Sequence, residues 1–153
     1  MIEYTIRYMM PHELTSFYKQ LLQDFPPSEY TPYNILRRQC REGLQEGLVL
    51  MKDNQAIGYA ICAASLDHVL ISFLAIYPEY RARGAGSAFL QALVNHYSEK
   101  QAIIAEVERP ELASNPIDIT FREARISFYE KAGFALIKGI DYVIWDVPMH
   151  LMA

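Results

Sequence analysis

Two cysteines among 153 residues, Cys40 and Cys62, are too few and too far apart for a disulfide framework, and neither has a histidine or a second cysteine at metal-ligand spacing. Both read as reduced core residues, and no metal is expected. Basic residues are also scarce: 14 Lys and Arg stand against 18 Asp and Glu, a net charge of −4. That balance excludes a surface built to track a nucleic-acid backbone and leaves room only for a local basic pocket. No window approaches the roughly 18 uncharged apolar residues that a membrane span requires. Met1 to Met10 alternates polar and apolar residues without the basic and then apolar regions of a secretory signal. The expected location is the cytoplasm, with neither nucleic acid nor membrane as partner. Repeats, low-complexity tracts and charge runs are absent. What is there is 52% hydrophobic and 21% charged, the composition of one soluble domain over residues 1–153 that buries roughly 68–70% of its unfolded surface.

Hydrophobic periodicity supplies the elements. Ile2, Tyr4, Ile6 and Tyr8 alternate with polar residues as in a half-buried strand, which Pro11 closes. Leu14, Phe17, Tyr18, Leu21, Leu22 and Phe25 then lay one apolar stripe along a helix that stops before Pro26 and Pro27. Thr31 followed by Pro32 reads as an N-cap with proline at the first helical position, and Ile35, Leu36, Cys40 and Leu44 carry a second helix towards Gly47. Leu48 to Met51, a polar turn of Lys52 to Gln55, and Ala56 to Ala64 form a hairpin. Val69 to Tyr77 is an apolar run with Ser72 its only polar member, as expected of a central strand buried on both faces. A helix through Phe89, Leu90, Leu93, Val94 and Tyr97 and a strand over Ala102 to Val107 follow, so the connection is a parallel crossover, right-handed on base rates. Thr120 and Glu123 have the spacing of a capping box for a helix that Gly133 ends, and Phe134 to Ile137 and Tyr142 to Val147 read as the last two strands. The order is β-α-α-β-β-β-α-β-α-β-β, an α/β chain with a mixed sheet.

The stretch Tyr80-Arg81-Ala82-Arg83-Gly84-Ala85-Gly86-Ser87 joins the buried strand to a helix. A helix N-terminus presents unpaired amides and partial positive charge, glycine lets an anion approach the main chain, and Arg81 and Arg83 add charge. These are the parts of a diphosphate cradle; a tight turn with solvated arginines is the plainer alternative. A dinucleotide fingerprint would need glycine at Phe89, and a Walker A loop would need lysine after its last glycine, so neither applies. Glu106 and Glu108 alternate on one face of the strand after the crossover, where they read as base candidates or as carboxylates paired with Arg109 or Arg125.

Arg81, Gly84 and Gly86 fit the Q/R-x-x-G-x-G/A signature of the GNAT superfamily of N-acetyltransferases, and the chain resembles that superfamily. The likeness extends to the strand Phe73 to Ile76, to the segment Phe128 to Phe134 and to the element order. The resemblance implies an acetyl-CoA-dependent enzyme that moves acetyl to a primary amine of a small molecule or peptide by direct attack in a ternary complex. It places the pantetheine arm on backbone groups of Leu74 and Ile76, and the diphosphate on the loop of Arg81, Arg83, Gly84, Ala85, Gly86 and Ser87. Tyr129 matches the tyrosine that protonates the departing sulfur; packing beside Phe128 is its alternative reading. Several members carry a glutamate on the central strand, but Leu70 to Phe73 has no carboxylate, which makes Glu106 the better substitute base, with His68 a third candidate after Glu108 and His96 a poor one. Arg122 stands where many members have asparagine, so that contact is in doubt, and Arg122 or Arg125 is read as reaching a phosphate instead. Cysteine is absent from the motif segments, which argues against an acyl-enzyme. The alternative function is a non-catalytic acyl-CoA-binding module, motivated by the missing central carboxylate. The resemblance assigns the acceptor to the region from Leu14 to Leu48 and the terminal strands, with Tyr30, Tyr33 and Trp145 as candidate lining. Asp24 and Glu29, near the turn, point weakly to a cationic amine.

Overall fold

The structure, a computed structural model, describes residues 4–27 and 29–153. Seven strands form one sheet in the order β1-β2-β3-β4-β5-β7-β6. Strands β1 (Tyr4–Tyr8), β2 (Glu46–Lys52), β3 (Gln55–Ala64) and β4 (His68–Ile76) run antiparallel in sequence order. Ile2, read into the first strand, lies outside the described residues. Asp53 and Asn54 both adopt positive φ, 50° and 62°, which gives the β2–β3 hairpin the turn twist that matches its strands. Helix α3 (Ala85–His96) crosses from β4 to the parallel strand β5 (Ala102–Glu108). Among the described residues, no helix is long and apolar enough to cross a membrane.

The helices cover the sheet from both sides. Helices α1 (Leu14–Asp24) and α2 (Tyr33–Arg41) press Leu14, Phe17, Leu21 and Leu36 onto Val49, Tyr59, Ile61 and Phe73. On the opposite face α3 and α4 (Pro116–Lys131) bring Phe89, Leu90, Leu93 and Tyr129 onto Leu48, Ala60, Val69 and Ile71. Fully buried members such as Leu36, Phe89 and Leu93 each contribute roughly 1.5–3 kcal/mol of apolar burial.

Strand β4 changes face part-way along. Ile61 pairs with Phe73 but Cys62 pairs with Ile71, so Ser72 is an extra, unpaired residue. A bulge of this kind reverses the alternation. Val69 and Ile71 point to the α3/α4 side, whereas beyond Ser72 it is Leu74 and Ile76 that do so, while Phe73 and Ala75 turn to the α1/α2 side.

Several boundaries differ from expectation. Helix α2 is entered through Pro32, whose carbonyl accepts from Ile35 and Leu36, with no cap from the Thr31 side chain, and it stops at Arg41 because Gly43 (φ 77°) turns the chain. Gly47 therefore belongs to β2, where the Met9 side chain packs over its α-carbon. Helix α4 starts a turn earlier than the Thr120–Glu123 spacing suggests, since the Asn115 side chain accepts from the Asp118 amide (2.8 Å) and Pro116 occupies the first helical position. The terminal strands are redistributed. Tyr142 to Val147 is interrupted by Trp145 and Asp146 at positive φ, and the chain returns from β6 (Tyr142–Ile144) as β7 (Val147–Met152), which inserts between β5 and β6. Phe134 to Ile137 forms only an isolated bridge, Leu136 to Met152, on the far edge of β7 before Gly139 (φ 78°) bends the path.

Candidate active site

Strands β4 and β5 pair only from His68 with Ala102 to Ile71 with Ala105. Beyond that, β4 runs on to Ile76 and β5 to Glu108 without touching, because the Ser72 bulge deflects β4 as β5 is drawn into pairing with β7 from Ala105 to Glu108. The edge of β4 facing the gap therefore carries main-chain groups with no strand partner. A cavity occupies the gap, with Ser72, Leu74, Glu106, Glu108 and Tyr129 in its walls and Phe25 and Glu29 of the α1–α2 connection closing one side.

Glu106 enters from the α1/α2 side, since its neighbours Ala105 and Val107 face the opposite core. Its Oε1 accepts from the Tyr142 hydroxyl at 3.0 Å. Burial pushes its carboxyl up to about 7, against the lowering effect of that hydrogen bond. Glu108 is tied to Arg122 (3.0 Å), not to Arg109 or Arg125. Arg122 also bonds Asp118 (3.1 Å) and the carbonyl of Arg109 (2.9 Å), so its guanidinium fastens the end of β5 to α4. Arg125 lies over the Phe25 ring at 5.6 Å, and Phe25 meets Phe73 edge-on at 5.0 Å.

Tyr129 comes from the other face. Its ring, 3% exposed, packs between Phe128 and Phe134 at 5.2 and 5.4 Å. The helix ends around it, because the amides of Ala132 and Phe134 both bond its carbonyl and Gly133 (φ 96°) turns the chain. Burial pushes its hydroxyl up to about 12, and among the described residues no side-chain hydrogen bond holds that hydroxyl.

The loop into α3 is shaped by Ala82 (φ 63°) and Gly84 (φ 81°). The first helical bond of α3 runs from Ala88 to the Gly84 carbonyl at 3.0 Å, which leaves the Ala85, Gly86 and Ser87 amides unpaired at the N-terminus. A Cβ on Gly86 would lie 3.2 Å from Phe128, so this glycine also sets how closely α3 approaches α4. Arg83 is exposed and has no ion pair among the described residues. Arg81 reaches inward: Nε donates to the Ile76 carbonyl at 2.8 Å, and the guanidinium meets Asp24 at 3.1 Å. Asp24 accepts in addition from the Tyr59 hydroxyl (2.8 Å) and is only 7% exposed in its side chain.

Leu74, Glu106 and Tyr129 line the gap, Ile76 ends the same strand, and the Arg81 to Ser87 loop follows it into α3, where Gly86 lies against Phe128 and Ile76. His68 sits at the opposite, paired end of β4, and His96 bonds the Tyr8 hydroxyl at 3.0 Å away from the cavity. Tyr30 packs on Tyr18, and the Tyr33 hydroxyl bonds Thr15. Trp145 occupies the β6–β7 turn, about half exposed. Sequence reasoning gave no role to Tyr142, Ile144 or Met149, which enter through the hairpin that its pattern did not reveal.

The acetyltransferase (GNAT) family model matches residues 14–134. The chain is 37% identical over 89 residues to the ribosomal protein bS18-alanine N-acetyltransferase of Haemophilus influenzae. That stretch is 57% of this chain and spans about half, 53%, of the relative. Among solved structures it superposes on a GNAT-family protein from Bacteroides thetaiotaomicron with a TM-score of 0.78 and 24% identity, covering 97% of this chain and 85% of the other. It also superposes on Arabidopsis thaliana Naa50, solved with the bisubstrate analogue CoA-Ac-MVNAL, with a TM-score of 0.68 and 19% identity over 97% of this chain and 96% of the other. At these identities the superpositions speak to the fold alone. The mixed sheet with its four helices is the fold shared with these structures. The chain belongs to the acetyltransferase (GNAT) family.

Proposed function

We propose that this protein transfers the acetyl group of acetyl-CoA to a primary amine by direct attack within a ternary complex. The observation that carries this reading is the convergence, on one gap in the sheet, of an unpaired strand edge, a helix N-terminus and two groups suited to opposite proton transfers. The edge at Leu74 and Ile76 offers main-chain partners to an amide-bearing arm, although the Ile76 carbonyl is already engaged by Arg81. The amides of Ala85, Gly86 and Ser87, flanked by Gly84 and the exposed Arg83, suit a diphosphate. Arg81 contributes through the path of the loop as long as it remains on Asp24. Acetyl-CoA supplies an activated thioester carbonyl. The nitrogen–carbon bond forms as the carbon–sulfur bond breaks; Glu106 accepts a proton from nitrogen, and Tyr129 gives one to sulfur. A hydroxyl held near 12 is a weak acid for a thiolate of ordinary parent pKa ~8.5, but a thiolate leaving inside the same dry gap is made more basic by the same desolvation.

The acceptor we assign is the α-amine of a polypeptide. An α-ammonium of pKa ~8 stands only about one unit above a base at about 7, whereas a lysine side chain of ~10.4 stands more than three above it, roughly 4–5 kcal/mol. The bS18-alanine N-acetyltransferase to which the chain is similar supports the same choice. The test is thiol release from acetyl-CoA with an alanyl hexapeptide, against the Nα-blocked peptide carrying one lysine. Faster release with the free α-amine is expected. Equal or reversed rates refute the acceptor, and no release with either leaves acyl-CoA binding without catalysis as the function.

A further inference from the structure

Glu29 sits in the wall of the same cavity, although no part of the reaction as derived above uses it. It is held there by built contacts. Its amide bonds the Pro26 carbonyl at 3.0 Å, closing a turn after α1. Phe25 anchors the start of that turn on Phe73, and the Tyr18 hydroxyl clamps its exit by bonding the Thr31 carbonyl at 2.7 Å. The carboxyl so placed confronts Glu108 on β5. Facing it are Arg122 and Arg125 of α4, with Glu106, also on β5, and Tyr129 in the same cavity and Tyr142 of β6 bonded to Glu106. Arg122 is already shared by Glu108, Asp118 and the Arg109 carbonyl.

Resting on the reading of this gap as an amine site, we infer that Glu29 is its specificity-determining residue: with Glu108 it binds the acceptor as an ammonium ion. Four carboxylates, Glu29, Glu106, Glu108 and the Asp118 that shares Arg122, stand against two arginines, and the negative charge in excess is reduced either by a proton on a carboxyl or by an ammonium cation. The upward shift of Glu29 to about 7, from burial and then from the Glu108 charge, has the sign this exchange requires. The ammonium so held lies beside Glu106, which takes the proton that the nitrogen must shed. The acceptor class that follows is an uncompensated cation at the amine; a carboxylate next to the amine, as in an N-terminal Asp-peptide or a free amino acid, meets repulsion.

The test is calorimetric and needs no turnover. Protein loaded with coenzyme A is titrated with alanine amide at pH 6.5 in buffers of different ionisation enthalpy, for wild type, Glu29→Gln and Glu106→Gln. Wild type is expected to bind with net proton release. Glu29→Gln should weaken binding roughly 10–100-fold, the scale of one charge-assisted contact, and lose part of the proton release, while Glu106→Gln keeps the part due to Glu29. Free alanine should bind more weakly than its amide in wild type, with a smaller difference in Glu29→Gln. Removing a carboxylate from this cluster should leave the melting temperature equal or higher, which separates lost binding from lost folding. Undiminished affinity in Glu29→Gln, proton release unchanged by it, or no binding of alanine amide by wild type overturns the inference. Catalysis without this affinity change would overturn it while leaving the transferase reading intact.

Discussion

Replacing Tyr142 by phenylalanine removes one hydroxyl, the one that donates to Glu106 Oε1 at 3.0 Å. That bond favours the ionised carboxylate, and hydrogen bonds to charged groups contribute about 1.5–3 kcal/mol. Tyr142 is half-exposed, so the low end applies; at 1.36 kcal/mol per pKa unit this is about one unit. The Glu106 carboxyl, now at about 7, should move up by that amount. Profiles of kcat/KM against pH, read from thiol release with one fixed peptide, should show their acid-side inflection displaced upward, about tenfold less activity near pH 6 and little change at pH 9. Glu106→Gln should remove the inflection and lower the plateau by roughly 10²–10⁴-fold. Stability gives a second readout. Glu106 holds its proton more tightly folded than at its ordinary value of 4.5, so the folded state loses stability as pH rises from about 4.5 to about 7. Glu106→Gln should flatten that decline in melting temperature. An inflection that stays in place in both variants would refute Glu106 as the base.

Two further outcomes test the remaining assignments. Tyr129→Phe keeps the ring between Phe128 and Phe134 and deletes only the hydroxyl; kcat should fall roughly 10²–10⁴-fold with acetyl-CoA affinity little changed, as measured by steady-state kinetics and titration. Arg83→Glu reverses an exposed charge beside the α3 N-terminus; acetyl-CoA affinity should drop about tenfold or more, less so at high salt, with an unchanged melting temperature.

Local signals with a short reach were legible in the sequence. The stripes of α1 and α3, the β2–β3 hairpin and the almost uninterrupted apolar run of β4 all declare their environment within a few residues. The bulge did not, because a serine in an apolar run is compatible with an ordinary strand, and only the offset between Ile61–Phe73 and Cys62–Ile71 reveals the extra residue. The β6–β7 turn was hidden for a different reason: Trp145 and Asp146 take positive φ without the Asn-Gly or Asp-Gly pair that usually announces it. In the site, the carboxylate at Glu106 and the tyrosine at Tyr129 could be singled out by type and by resemblance. The partners of the charged groups could not. Asp24 and Glu29, adjacent to the same turn, look alike in the chain, yet Asp24 is consumed by Arg81 and Tyr59 while Glu29 reaches the cavity, a division made by tertiary packing alone.

The Ser72 bulge and the early end of β4–β5 pairing make the sheet a partition with a window. Tyr129 and the α3 N-terminus stand on one side of it, Glu106, Phe25 and Glu29 on the other. Two molecules that react through such a window need not compete for the same volume, and each can withdraw by the side from which it came. A compound that joins an amine mimic to a coenzyme A mimic must instead be threaded through the sheet, so the length of its linker is governed by the thickness of one layer of backbone, and any substitution that restores pairing between Leu74 and Val107 would shut the passage to both halves at once.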